Sequence, residues 1–167
     1  MSFRLRHCLP LLLLGLVAGC ANSRVYESPS TGPMAEVTFH ADTLIEMSQG
    51  GRNTVDFTLY PCRASAAGSI RLTHDQKTAT VKVRAGEPLR ILADFFFGFS
   101  SIHSKGSLYL LFVPQEGGKY SADFRDLGGK FTVAVRRVQG ADGSMRAVRT
   151  LYGEEATARM RSRLCRS

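Results

Sequence analysis

The sequence predicts an all-β fold, an antiparallel two-sheet sandwich of about eight strands with a short C-terminal helix. Three observations lead there. From Glu36 onward, apolar residues recur with a period of two rather than 3.6. Turn-forming Gly, Pro and Asp residues divide these runs at fairly regular intervals. No helix-period stretch lies between the runs to act as a crossover, which argues against a parallel α/β arrangement.

The elements follow in order. Val37, Phe39 and Ala41 alternate with Thr38 and His40, and Val55, Phe57 and Leu59 alternate with Thr54, Asp56 and Thr58. Ile70 and Leu72 lead into a His74-Asp75-Gln76 turn, after which Ala79, Val81 and Val83 alternate with polar residues, so this pair reads as a hairpin. Beyond Gly86 and Pro88, one face collects Leu89, Ile91, Ala93, Phe95 and Phe97. Leu108 to Val113 is apolar on both faces, as in a central strand. Pro114 to Gly118 turns the chain, and Tyr120, Ala122 and Phe124 share the next face. Phe131, Val133 and Val135 follow, then a Gly140-Ala141-Asp142-Gly143 turn and a return over Met145 to Leu151. After Gly153, acidic Glu154 and Glu155 precede a basic end, and Ala156, Met160 and Leu164 form an i, i+4 stripe. That order of charge suits a helix dipole.

Pro114, Gly117-Gly118 and Tyr120 resemble the turn-then-tyrosine corner of immunoglobulin-like and transthyretin-like sandwiches. The resemblance implies a Tyr120 hydroxyl bonded to nearby backbone.

The leader is more specific. Arg4, Arg6 and His7 precede an apolar run from Leu9 to Ala18, broken by Pro10 and Gly15. The run is short of the about 20 apolar residues that span a bilayer, and it reads as an export signal. It closes on Leu16-Val17-Ala18-Gly19-Cys20, a branched apolar residue, small residues and a cysteine, which resembles the lipobox of bacterial lipoproteins. The resemblance implies cleavage before Cys20, a diacylglycerol thioether on its sulfur and an acylated amino terminus. Two or more chains anchor stably where one does not. Ala21, in place of the Asp that retains enteric-type lipoproteins in the inner membrane, implies an outer-membrane address facing the periplasm. An ordinary secretory signal, cut elsewhere, is the alternative. Residues 1–19 are thus the signal peptide, 20–34 a lipidated flexible tether rich in Ser, Pro and Gly, and 35–167 the folded domain. Fully extended, such a tether would reach some 45 Å at about 3.3–3.6 Å per residue.

Composition excludes several classes. The chain is 44% hydrophobic and 22% charged with no Trp, which argues against wholesale disorder, collagen-like repeats and a polytopic membrane protein. Loss of Arg4 and Arg6 with the leader lowers the basic count from 22 to 20 against 14 acidic residues, a net +6. Export turns that charge away from nucleic acid and towards an envelope protein, lipid headgroups or an anionic envelope polymer. Arg146, Arg149, Arg159, Arg161, Arg163 and Arg166 hold much of it, either as a binding surface or as a solvated face. Cys62 and Cys165 remain as an even pair in an oxidising compartment. A disulfide between them would close a loop of roughly 100 residues, worth about 4–5 kcal/mol by chain entropy. Two reduced thiols are the alternative.

Chemistry-bearing patterns are sparse. His40, His74 and His103 have no ligand-spaced partner, so neither metal nor cofactor is expected. Ser100, Ser101, His103, Asp94 and Asp123 could supply a hydrolase only by convergence of separate loops, without a Gly-x-Ser-x-Gly elbow. Phe95-Phe96-Phe97-Gly98-Phe99 is the segment a plain core explains least. Alternation sends Phe95, Phe97 and Phe99 to one face and Phe96 to the other. They either fill the core on both sides of the strand or form an aromatic patch that docks a partner. The reading drawn from the sequence is a non-catalytic, lipid-anchored binding or structural module. A loop-assembled envelope hydrolase or transferase and a carrier of a small apolar ligand are its rivals.

Overall fold

The computed structural model describes residues 24–44, 52–61, 65–98, 103–140 and 142–152. Cys20, Cys62, Phe99, Cys165 and the helix expected after Gly153 lie outside them. Among the described residues the regular structure is all β. The strands are β1 (Met34–His40), β2 (Arg52–Pro61), β3 (Gly68–Leu72), β4 (Thr78–Arg84) and β5 (Leu89–Gly98), then β6 (His103–Phe112), β7 (Lys119–Asp126), β8 (Phe131–Gln139), β9 (Ser144–Ala147) and β10 (Leu151–Tyr152). They form two five-stranded sheets, ordered β4-β1-β7-β8-β9 and β10-β6-β5-β2-β3.

Period-two alternation puts one row of each strand into a layer shared by both sheets. Val37 and Phe39 on β1, Val55, Phe57 and Leu59 on β2, and Ile91 and Ala93 on β5 are fully buried. The Phe39 and Phe57 rings meet across the sheets with centroids 4.6 Å apart. Each such phenylalanine contributes about 1.5–3 kcal/mol relative to exposure.

The topology departs from the expected one in three ways. Ten strands form rather than about eight, the two short ones, β9 and β10, lying at sheet edges. β3 and β4 are not a hairpin. β3 pairs with β2 and β4 with β1, so the 73–77 turn carries the chain from one sheet to the other. A tight polar turn serves either path, and only the partner strands decide. The arrangement is also not wholly antiparallel, because β1 and β7 run parallel, with Val37 opposite Tyr120 and His40 opposite Asp123. β7 is accordingly buried on both faces, including Ser121 and Asp123. The Asp123 carboxylate accepts from the Ser121 hydroxyl at 2.9 Å and the Arg136 guanidinium at 2.7 Å, so its charge is partnered.

The connection from β6 to β7 joins the two sheets. The Gln115 amide donates to the Tyr120 hydroxyl at 2.8 Å, the tie expected of a tyrosine corner. The same turn accepts from Glu36 N–H through Gly118 and donates from Gly117 to the Met34 carbonyl, while Pro114 accepts from Gly86. A side chain at Gly118 would come 2.7 Å from the Tyr120 ring and 2.8 Å from the Gln115 carbonyl. Tyr120→Phe should therefore lower stability by about 0.5–1.5 kcal/mol, and Gly118→Ala by about 1–3 kcal/mol through overpacking. Urea unfolding of the domain measures both.

Candidate functional site

The aromatic segment lies on β5, whose register with β6 places Phe95 opposite Gly106 and Phe97 opposite Ser104. Phe95 is 8% exposed and belongs to the shared core. Its ring lies 4.2 Å from Phe131 and 5.5 Å from Phe124, centroid to centroid, both on the facing sheet. Phe97 packs against the same core and stacks on Phe131 at 5.3 Å and 8°. Gly106 makes room for this cluster, because a side chain there would meet the Phe95 ring at 2.6 Å. Phe95 is thus inter-sheet packing, and Phe97 packs partly buried against the same core. Phe96 points to the opposite face, half-buried, beside Thr54 and Lys105.

Of the residues a hydrolase would need, the two described carboxylates lie apart, and the His103 side chain is outside the described residues. Asp94, bonded by the Ser107 hydroxyl, lies on the outer face of one sheet, and Asp123 on the outer face of the other. Ser100 and Ser101 are outside the described residues. His40 Nδ1 is paired with Thr78 Oγ1 at 3.2 Å and His74 Nε2 with Asp75 at 2.9 Å. Among the described residues no group of three metal-ligating side chains gathers.

Two open apolar clefts remain. One, of about 480 Å³, runs between β6 and β8 past Leu108, Tyr109, Phe131, Val133 and Tyr152. The other, of about 390 Å³, lies where Tyr26 meets Pro61, Val83 and Leu89, with Glu27, Arg84 and Glu87 also lining it.

Tyr26 belongs to an arm within residues 20–34, the stretch expected as a tether. Among the described residues the arm is bonded to the body from Arg24 onward. Val25 forms a parallel bridge with Ser69, the Ser69 amide donates to the Arg24 carbonyl at 2.8 Å, and the Tyr26 amide donates to the Ser69 carbonyl at 3.0 Å. The Tyr26 hydroxyl donates to the Lys82 carbonyl at 2.9 Å, and the Lys82 amide donates to Ser28 Oγ at 3.1 Å. The arm thereby bridges β3 and β4, the edge strands left side by side by the sheet-crossing turn. Two of these four bonds are between backbone groups, which leave no mark in a composition of Ser, Pro and Gly. Val25 and Tyr26 were the available signal.

Comparison with known protein families, curated proteins and solved structures finds no match to this chain.

Phe95→Ala should cost about 3–5 kcal/mol and Phe96→Ala clearly less, as read from urea unfolding. Burial raises the Tyr26 phenol above its ordinary value, with the Arg84 cation opposing in part. The folded state therefore holds the Tyr26 proton more tightly than the unfolded chain. This part of the stability is complete below about pH 10 and is lost as pH rises through the raised value. The melting temperature should fall more steeply from pH 9 to 11 in the native protein than in Tyr26→Phe.

Proposed function

We propose that this chain is a lipid-anchored lipoprotein of the bacterial outer membrane, facing the periplasm. In this reading it is a non-catalytic binding or structural module that recognises another envelope component. One observation carries the reading: Leu16-Val17-Ala18-Gly19-Cys20 at the end of a short apolar run with a basic start. The all-β body, whose first strand begins at Met34, is consistent with a folded domain held by lipid. The finer architecture belongs to the same proposal, a sandwich whose C-terminal helix is stapled by a Cys62–Cys165 disulfide. Pro61 ends β2 just before Cys62, and thirteen residues lie between Tyr152 and Cys165, counting the latter. At about 3.3 Å per extended residue this is ample to return across a sheet.

The partner is an envelope protein or anionic polymer. In the aromatic segment, Phe96 is the described residue turned from the core and stays the candidate contact. Radioactive palmitate should label the protein in cells and the label should be lost in Cys20→Ser, which should then fractionate as soluble. An unlabelled native protein would overturn the reading. Peptide mapping without reductant should recover Cys62 and Cys165 in one linked fragment.

A further inference from the structure

The docked arm shortens the tether from a reach of some 45 Å to the interval between Cys20 and Arg24. We propose that the pole of the domain around Tyr26 rests on the lipid surface that holds Cys20, with the opposite pole presented outward. The proposal rests on lipidation of Cys20 and goes beyond it by fixing standoff and orientation.

Chain length is the first ground. Arg24 is bonded to Ser69 at 2.8 Å and lies four residues after Cys20. Four steps of about 3.3–3.6 Å allow at most about 14 Å between the backbone of the lipidated residue and the body. Direction is the second. The Val25–Ser69 bridge is parallel, so the backbone before Val25 leads back alongside the residues that precede Ser69. That path leaves over Ala67, at the pole that also carries the 85–88 and 113–118 connections and the β8–β9 turn. The far pole carries the 73–77 and 127–130 turns and the ends of β5 and β1.

Between the poles run the ten-residue strands β2 and β5, about 30 Å long at 3.3 Å per residue. A 14 Å lead cannot turn a body of that length end for end above the surface. At the exit point Arg24 is exposed and Val25 is 78% exposed, a cation and an apolar side chain suited to the headgroup boundary. Arg84 and Lys119 on this pole are offset by Glu27, Glu87 and Glu116, so covalent reach and not net charge sets the orientation.

The test uses the full acylated protein in vesicles of phosphatidylethanolamine and phosphatidylglycerol that carry a headgroup quencher. A fluorophore is placed through Glu116→Cys on the near pole or Leu127→Cys on the far pole, each with Cys62→Ser and Cys165→Ser. Quenching at position 116 should exceed that at 127 at least threefold. Inserting twelve Gly-Ser residues after Asn22 should abolish the difference. Gly68→Ala should reduce it, since a side chain there would lie 2.5 Å from the Tyr26 backbone. Equal quenching, or more at 127, in acylated protein without the insertion overturns the orientation alone. Absence of palmitate overturns the anchor and the orientation together. An independent reading on the unsubstituted protein is amine labelling. Vesicles should shield Lys119 several-fold relative to detergent-dispersed protein and leave Lys77 and Lys130 unchanged, and equal shielding of all three overturns the orientation.

Discussion

Both sheets bury the same layer of side chains, and neither would keep that layer dry without the other. Val37, Phe39, Val55, Phe57, Leu59 and Ile91 are inaccessible only because rows from the facing sheet close over them. The layer is thickest in rings towards one end, where Phe95, Phe97, Phe124 and Phe131 pack with centroid separations of 4.2–5.9 Å. Ring packing of this kind adds a preference for one alignment beyond area alone. A slip of one residue in β5 would turn Phe95 and Phe97 outward and Phe96 inward, so the cluster also enforces register.

A shared layer needs covalent corners where the chain changes sheets, and each corner seen here is tied by hydrogen bonds. The turn after β6 uses the Tyr120 hydroxyl and the backbone of Pro114, Gly117 and Gly118 to hold β1 and the 85–88 connection. The turn after β3 leaves two edge strands, β3 and β4, side by side without pairing. Residues 24–28 bond to both, so the arm completes the flank that this topology opens. An exposed edge is a site for unwanted pairing. Covering it gives residues 24–28 a structural duty.

The strands were legible because each carries its own period: Val55-Phe57-Leu59 and Tyr120-Ala122-Phe124 need no neighbour to be recognised. Pairing was not, because it depends on residues far apart in sequence. The His74-Asp75-Gln76 turn suits a hairpin and a sheet crossing alike, and alternation in β7 does not reveal a parallel neighbour. Burial of Ser121 and Asp123 on the outward face reflects that central position, but polar residues conceal it in the sequence. Phe95 and Phe97 were correctly placed on one face. Which layer that face met depended on Phe124 and Phe131, some thirty residues away. The arm escaped for a different reason: its pairing with Ser69 runs through the backbone, whose groups are the same in every sequence, and the Tyr26 and Ser28 side chains bond to the distant Lys82 backbone.

Burial of the Phe95 and Phe97 rings also narrows what the domain can offer a partner. Removal of these two rings from the surface leaves polar faces, with Thr38, Thr80 and His40 on one sheet and Asp56, Arg71, Asp94 and Ser107 on the other. Several of these groups are already engaged with each other, as in the Arg71–Asp56 pair at 2.7 Å. Exposed pairs of this type contribute little stability, so the energy of the fold does not depend on keeping them closed. They can exchange an internal partner for an external one at small cost, whereas the phenylalanines cannot leave the core without exposing the layer that joins the sheets. In the reading proposed above, contact with a partner falls to Phe96, the turns and the polar strand faces, while Phe95 and Phe97 hold those surfaces in place.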